Sequence, residues 1–206
     1  MKNIMIALSI YFFLIAIGIV VYKMFFSERQ LSVEQGKETM NLLEQKLQEE
    51  AHHEHNHENE AGYDFDEELV KIFRDVENTL NFFVTILKEE DEKYFVSMFL
   101  PEKFSKDLWE YSDDPFNERA TLKLIRELNR DGKLVSAKYE ENFLEDYKTT
   151  RLDSEIKLTL QYDDGKEALI QLDLILLGDE HSTENDIYFI ENSVLELIRQ
   201  VKQQTS

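Results

Sequence analysis

The chain has 206 residues, with 23 Lys and Arg against 43 Asp and Glu, and a formal net charge of −20. Such an acidic surface repels phosphate backbones, so it disfavours nucleic acid as a partner and favours basic partners or cations. The chain has no cysteine, which excludes disulfides, thiolate zinc sites, cysteine nucleophiles and the lipid-attachment cysteine of a lipoprotein.

An uncharged apolar run, IMIALSIYFFLIAIGIVVY, occupies residues 4–22. At about 1.5 Å per residue it nearly spans a hydrocarbon core of roughly 30 Å. No small-residue cleavage site follows the run, so the sequence predicts an uncleaved transmembrane signal anchor over residues 1–26 rather than a cleaved signal peptide. The expected location is the cell membrane, in a single-pass arrangement.

The orientation of the predicted anchor has two interpretations. Lys23, Arg29 and Lys37 follow the apolar run, and this count of basic residues favours a cytoplasmic domain. The extreme N-terminal position of the anchor is similar to that of many single-span bacterial proteins with extracytoplasmic domains. We expect the large domain to be extracytoplasmic, and the cytoplasmic orientation is the alternative.

Residues 27–62 are predicted to form a partly helical stalk followed by a disordered linker rich in His and Glu. Met40, Leu43 and Leu47 form one narrow apolar stripe, and Gly36 interrupts the helix. Because the stripe is short for a coiled coil, a weak homodimer through the stalk is only one of the alternatives.

Four of the five histidines, His52, His53, His55 and His57, lie in the stretch AHHEHNHENE. The stretch has no aliphatic residue larger than alanine and cannot bury a core, so a linker is the first interpretation. Imidazoles at this spacing also chelate divalent ions weakly, which makes these four residues the candidate metal ligands. A pH switch is the third interpretation.

Residues 63–206 are predicted to form the folded domain, which begins with helices. Apolar residues repeat at three- and four-residue intervals from Leu69 to Leu87, which predicts one amphipathic helix with Asp64 or Asp66 as its cap. Two shorter helical segments follow, separated by Pro101. Residues 118–130 predict another long helix, and Asp131-Gly132 ends it.

After Gly132 the apolar pattern changes to a period of two, which is typical of strands. Strands are predicted at residues 133–140, 149–162, 168–177 and 187–190, with a hairpin turn at residues 163–166. Residues 178–186 are predicted to be a looser turn. A short helix follows, capped by Asn192 or Ser193. The predicted class is α+β, with about three helices packed on an antiparallel sheet.

The segments GKLVSAKYEE, EIKLTLQYDDGKEALIQLDLILLGDE and NDIYFIENSVLEL resemble the sheet of the NTF2-like superfamily. The resemblance covers about residues 66–197 and rests on element order and the hairpin pattern. It implies a curved antiparallel sheet that wraps around N-terminal helices to form a cone. The chain departs from the family pattern at its end, where a short helix follows Ser193. NTF2-like folds host isomerases, dehydratases and non-catalytic binding modules, so the fold does not decide the function.

The residues of the predicted domain give little sign of catalysis. His181 is its only histidine and lies in the turn DEHSTEND, while Asp173 lies on the polar face of its strand. The sequence shows no Ser-His-Asp set, glycine-rich phosphate loop or regular metal-ligand spacing, so we expect no catalytic residue and no cofactor. The expected function is a membrane-anchored, non-catalytic domain that binds or scaffolds another protein at the bacterial cell surface. The alternatives are capture or delivery of a divalent metal by the His-rich linker, and binding of a small ligand inside the cone.

Overall fold

The structure is a computed structural model that describes residues 28–53, 67–142, 154–179 and 182–206. These ranges contain one five-stranded antiparallel sheet, in the order β1-β2-β3-β4-β5, and seven helices. The strands are β1 (Arg29–Gln30), β2 (Leu134–Asn142), β3 (Ser154–Tyr162), β4 (Glu167–Asp179) and β5 (Ser182–Ile190). The helices are α1 (Val33–His53), α2 (Glu67–Phe73), α3 (Val76–Glu89), α4 (Glu92–Ser97), α5 (Pro101–Tyr111), α6 (Ala120–Asn129) and α7 (Val194–Thr205). The architecture is therefore α+β.

The transmembrane part of the predicted fold has to be corrected. The apolar run at residues 4–22 lies outside the described residues. Among the helices of the four described ranges, none combines the length and the apolar character that a membrane span requires. Over the described residues the fold is the α+β domain, and the predicted membrane-spanning helix is not among its helices.

The sheet buries one face, as its alternating sequence predicts. In the hairpin of β3 and β4, Leu158 stands opposite Ile170 and Ile156 opposite Leu172, and all four side chains are fully buried. The turn between the strands has Gly165 at φ +78°, a conformation that glycine adopts without steric cost. Apolar residues on alternate positions thus bring one continuous face of the hairpin into the core.

The helix predicted from Leu69 to Leu87 is two helices. α2 ends at Phe73, and α3 starts at Val76 after Asp75, whose carboxylate accepts a hydrogen bond of 2.8 Å from the Asn78 amide. A side-chain cap of this kind stabilises a new helix start, and an apolar pattern that continues across it does not reveal the break. The predicted caps, Asp64 and Asp66, lie outside the described residues.

Phenylalanine rings join three of the helices to each other. Phe95 of α4 lies with its ring centroid 6.4 Å from that of Phe83 of α3 and 5.9 Å from that of Phe104 of α5. Phe99 lies 5.1 Å from Phe95 and 5.7 Å from Phe104, measured between the same centroids. All four side chains are buried, so this cluster fixes the position of α5 relative to α3 and α4.

The segment predicted as a stalk packs on the domain over its described part. Strand β1 pairs with the edge of β2, Leu31 is only 5% exposed, and α1 packs along α3. The Ser32 amide donates to Oδ1 of Asn81 at 2.7 Å, and Nδ2 of Asn81 donates to Oε1 of Gln35 at 2.9 Å. Asn81 is 1% exposed, so this buried amide is satisfied only because the N-terminal segment is in place.

Helix α7 covers a part of strand β4 that β5 leaves unpaired. β5 pairs with β4 from Leu174 onward. Before that point, the amides of Leu169 and Gln171 donate to the side-chain oxygens of Gln204 and Gln200, at 3.0 and 2.8 Å. Glutamine side chains thus take the place of a neighbouring strand, which removes an edge that would otherwise be open to another chain.

Candidate protein-binding surface

The structure leaves the predicted metal ligands without a defined geometry. His52 and His53 belong to the last turn of α1, but their side chains are not among those described, and His55 and His57 lie outside the described residues. Among the residues described, no group of three or more His, Cys, Asp or Glu side chains could hold a metal ion. Metal capture by the His-rich segment therefore stays a prediction.

The buried face of the sheet is filled by side chains. Leu158, Leu160 and Ile170 are fully buried in the same core cluster as Phe82 and Phe83 of α3. Every buried side-chain nitrogen and oxygen of the described residues has a hydrogen-bond partner. The described core thus presents no unsatisfied polar group that could orient a small ligand.

Two buried tyrosine hydroxyls of the domain make hydrogen bonds within the fold. Burial raises the pKa of Tyr139 to about 12, and its hydroxyl donates to Glu77 at 3.0 Å. Burial also raises the pKa of Tyr162, whose hydroxyl donates to the Leu128 carbonyl at 2.9 Å. A hydroxyl that stays protonated and already donates its proton to a fixed acceptor is not poised to act as a base.

A surface groove of about 470 Å³ between α6 and α7 carries several cations. Four of its five cations form ion pairs: Arg126 with Glu90, Arg130 with Asp164, Lys202 with Glu127, and Lys123 with Glu118. The groove is therefore mainly a set of surface ion pairs, with Lys133 as the remaining cation of its lining.

Two aromatic side chains stand out from the described surface. Trp109, in the last turn of α5, is 57% exposed, and Phe116, in the loop that follows, is 79% exposed. Their ring centroids are 6.3 Å apart and their planes make an angle of 78°, which is an edge-to-face contact. We call Trp109, Phe116 and the loop of residues 112–119 the aromatic corner.

The loop of the aromatic corner is held by its own hydrogen bonds. The Ser112 hydroxyl donates to Glu118 at 2.9 Å and accepts a bond of 3.1 Å from the Asp114 amide. Nδ2 of Asn117 donates to the Asp114 carboxylate at 2.8 Å, and the Ala120 amide donates to the Pro115 carbonyl at 2.9 Å. The position of Phe116 is thus set by a network on both sides of it.

Helix α5 holds the other half of the aromatic corner in place. Its Phe104 is buried in the phenylalanine cluster, and its Asp107, 4% exposed, caps α7. The Asp107 carboxylate accepts from the Val194 amide at 2.6 Å and from the Ser193 hydroxyl at 2.8 Å. Because Asp107 is bonded to another helix, Trp109 projects from a helix that cannot rotate freely.

The aromatic corner is acidic. Between residues 109 and 119 the sequence has four acidic residues and one basic residue, Arg119, which pairs with Glu92 of α4. The acidic residues are Glu110, Asp113, Asp114 and Glu118, and all four are exposed. The hydrogen bond from Ser112 and the charge of Lys123 lower the pKa of Glu118, so its carboxylate remains ionised at neutral pH. The two exposed rings therefore lie within a field of negative charge.

Neither exposed ring is predicted by the sequence analysis, although the sequence contains a signal for both. Phe104, Leu108 and Tyr111 lie at intervals of four and three and share one face of a helix. Trp109 lies about 100° away from Leu108 around the helix and so falls outside this face. Phe116 follows Asp-Asp-Pro in a loop, where the apolar period gives no information. Both residues can therefore be recognised in the sequence as aromatic residues that lie outside every apolar stripe.

No family model, no curated protein and no solved structure matches this chain. The function is therefore inferred from the residues of the site itself.

Proposed function

We propose that this domain is non-catalytic and binds another protein through the aromatic corner. The observation that carries the proposal is the pair of adjacent rings, Trp109 at 57% and Phe116 at 79% exposure, on a surface whose backbone is fixed. Exposed aromatic residues are enriched where proteins bind each other, and Trp is the residue type most enriched in interface hot spots.

The energetics favour binding over folding as the role of the two rings. A buried aromatic side chain removes about 150–250 Å² from water, and each Å² contributes about 25 cal/mol. Most of the area of Phe116 is still in contact with water, so this free energy is available to a partner. Because the loop and α5 are already ordered, an incoming partner does not have to offset the conformational entropy of arranging them.

The competing interpretation is that both rings are ordinary surface residues. Single exposed apolar side chains are common on monomeric proteins and need no explanation. Val135 and Leu169 are such residues, each about half exposed. Trp109 and Phe116 differ from them because they contact each other and are positioned by a hydrogen-bonded loop.

The remaining expectations from the sequence are kept as predictions. These are the resemblance to NTF2-like folds, the extracytoplasmic location, the stalk-mediated homodimer, the metal capture by the His-rich segment and the binding of a small ligand inside the cone. The proposal does not depend on any of them.

Site-specific crosslinking in cells tests the proposal. A photo-reactive benzoylphenylalanine replaces Phe116 in the full chain, and a matched chain carries it in place of Val135. We expect illumination to join a discrete protein to position 116 and not to position 135. Adding Trp109→Ala should abolish that crosslink, whereas Leu169→Ala should leave it. Equal labelling at both positions, or a crosslink that is indifferent to Trp109→Ala, would refute the aromatic corner as the binding surface.

A further inference from the structure

We infer that the occupant of the aromatic corner is a basic segment of a partner protein, in which Arg or Lys side chains flank an apolar one. The apolar side chain contacts Phe116, and the cations approach the ring of Trp109 and the carboxylates beside it. The inference rests on the proposed function, because it specifies the partner for the same surface.

The first support is carboxylate charge that the protein leaves uncompensated. The side chains of Glu110 and Asp113 are exposed, and neither makes a hydrogen bond or an ion pair among the residues described. Neither belongs to the network that holds the loop, in which Ser112, Asp114 and Glu118 take part. Their charges therefore have no structural partner and are available to one from outside.

The second support is the pairing of the two cations that follow the loop, since Lys106, the cation nearest to Glu110 along the chain, forms no ion pair with it among the described residues. Arg119 pairs with Glu92 of α4, and Lys123 pairs with Glu118 at 3.2 Å. Both cations that follow the loop are thus directed to other carboxylates and do not neutralise Glu110 or Asp113. A basic partner would supply the charge that the surface lacks.

The third support is the chemistry of the rings. A guanidinium or ammonium group above an indole is attracted by the negative face of the ring, and Trp is the strongest of the aromatic side chains in this contact. The protein shows the same contact elsewhere, with the Arg130 guanidinium 4.8 Å from the ring centroid of Tyr162. An Arg side chain of the partner therefore gains from Trp109 and from the adjacent carboxylates together, and the net charge of −20 steers it toward the surface.

Three synthetic peptides test the inference on the full chain. All three share a central Leu-Phe-Leu and differ only in flanking residues, which are Arg, Gln or Glu. Trp109 is the single tryptophan of the chain, so its emission reports binding at the aromatic corner. We expect the Arg peptide to bind about tenfold more tightly than the Gln peptide. The Glu peptide should leave the emission unchanged.

Charge variants separate the local carboxylates from the overall charge. The double variant Glu110→Gln with Asp113→Asn should weaken the binding of the Arg peptide by about fivefold. The control, Glu155→Gln with Glu196→Gln, removes the same charge from exposed sites elsewhere and should leave its affinity within about twofold. Equal affinities of the Arg and Gln peptides, equal losses in the two charge variants, or no binding of the Arg peptide would each overturn the inference.

Phe116→Ser distinguishes failure of the inference from failure of the proposed function, since it keeps Trp109 as the reporter. If Phe116→Ser abolishes peptide binding while the charge variants have no effect, the aromatic corner binds protein but its partner is not selected by charge. If binding survives Phe116→Ser, the peptide does not use the aromatic corner and the proposed function fails with the inference.

Discussion

Gly36 of α1 lies so close to Thr85 of α3 that a Cβ atom at position 36 would stand 2.0 Å from the Thr85 hydroxyl oxygen. The same atom would stand 2.4 Å from the backbone carbonyl oxygen of Asn81. The Thr85 hydroxyl donates to that carbonyl at 2.8 Å. The glycine therefore allows two helices to approach with their backbones nearly in contact, and it makes the N-terminal segment part of the domain.

The first prediction concerns this contact. Gly36→Ala should destabilise the full chain by about 1–3 kcal/mol, because the added methyl group must displace backbone as well as a side chain. In an unconstrained helix the same change would stabilise it. Thermal unfolding followed by circular dichroism measures the difference. Glu38→Ala, at an exposed position of the same helix, is the control, and an equal midpoint for both variants would mean that α1 does not pack on α3.

The second prediction concerns the cover over strand β4. Gln204 accepts from the Leu169 amide at 3.0 Å and donates to the Leu169 carbonyl at 2.7 Å. Gln204→Leu should leave both backbone groups without these partners and promote association between chains through the edge. Light scattering during gel filtration should then show dimers or larger species. The control, Gln203→Leu, adds the same apolar group at the adjacent exposed position. It should elute with the same mass as the unsubstituted chain.

The third prediction concerns alkaline pH. Burial raises the pKa of Tyr139 from 10.0 to about 12, so the folded chain holds this proton where the unfolded chain has lost it. The contribution to stability is complete below pH 10 and is lost as the pH rises through about 12. Absorbance of tyrosinate should show Tyr139 and Tyr162 ionising later than the exposed tyrosines. Tyr139→Phe should make the unfolding free energy fall less steeply over this range, and an unchanged slope would contradict the assignment.

The fourth prediction concerns the attachment of α5. Asp107→Ala removes the cap of α7, where Val194 and Ser193 both donate to the carboxylate, and should destabilise the chain by about 1–2 kcal/mol. Because this bond also holds the helix of Trp109, hydrogen exchange in α5 should increase. Lys106→Ala, at the adjacent exposed position, is the comparison. Faster exchange in both variants alike would show that the cap does not fix α5.

The hairpin of β3 and β4 could be predicted from the sequence, while the helix break before α3 could not. In the hairpin the period of two, from Ile156 to Tyr162, and the turn with Gly165 are local signals. The apolar pattern of α2 continues into α3 without a change of period, and only the cap formed by Asp75 separates the helices. A cap competes with helix propagation through a single hydrogen bond, which periodicity does not register.

The role of the N-terminal segment depends on contacts distant in sequence. Gly36 has the sequence signature of a helix interruption, and only the position of Thr85 turns it into a site of close approach. The exposure of Trp109 is likewise settled by the packing of Phe104 and Asp107 on other helices. For the aromatic corner the sequence supplies the residue types, and tertiary packing decides which of them face the solvent.

The measurement that tests the central claim most directly is acrylamide quenching of Trp109 emission in the full chain, with and without the Arg peptide, which contains no tryptophan. Acrylamide is uncharged, so the acidic surface does not bias its access. In the free chain Trp109 should be readily quenched, in accordance with its 57% exposure. In the complex we predict a blue-shifted emission and strong protection from quenching. A complex in which Trp109 is quenched as readily as in the free chain would contradict the assignment of the aromatic corner as the protein-binding surface.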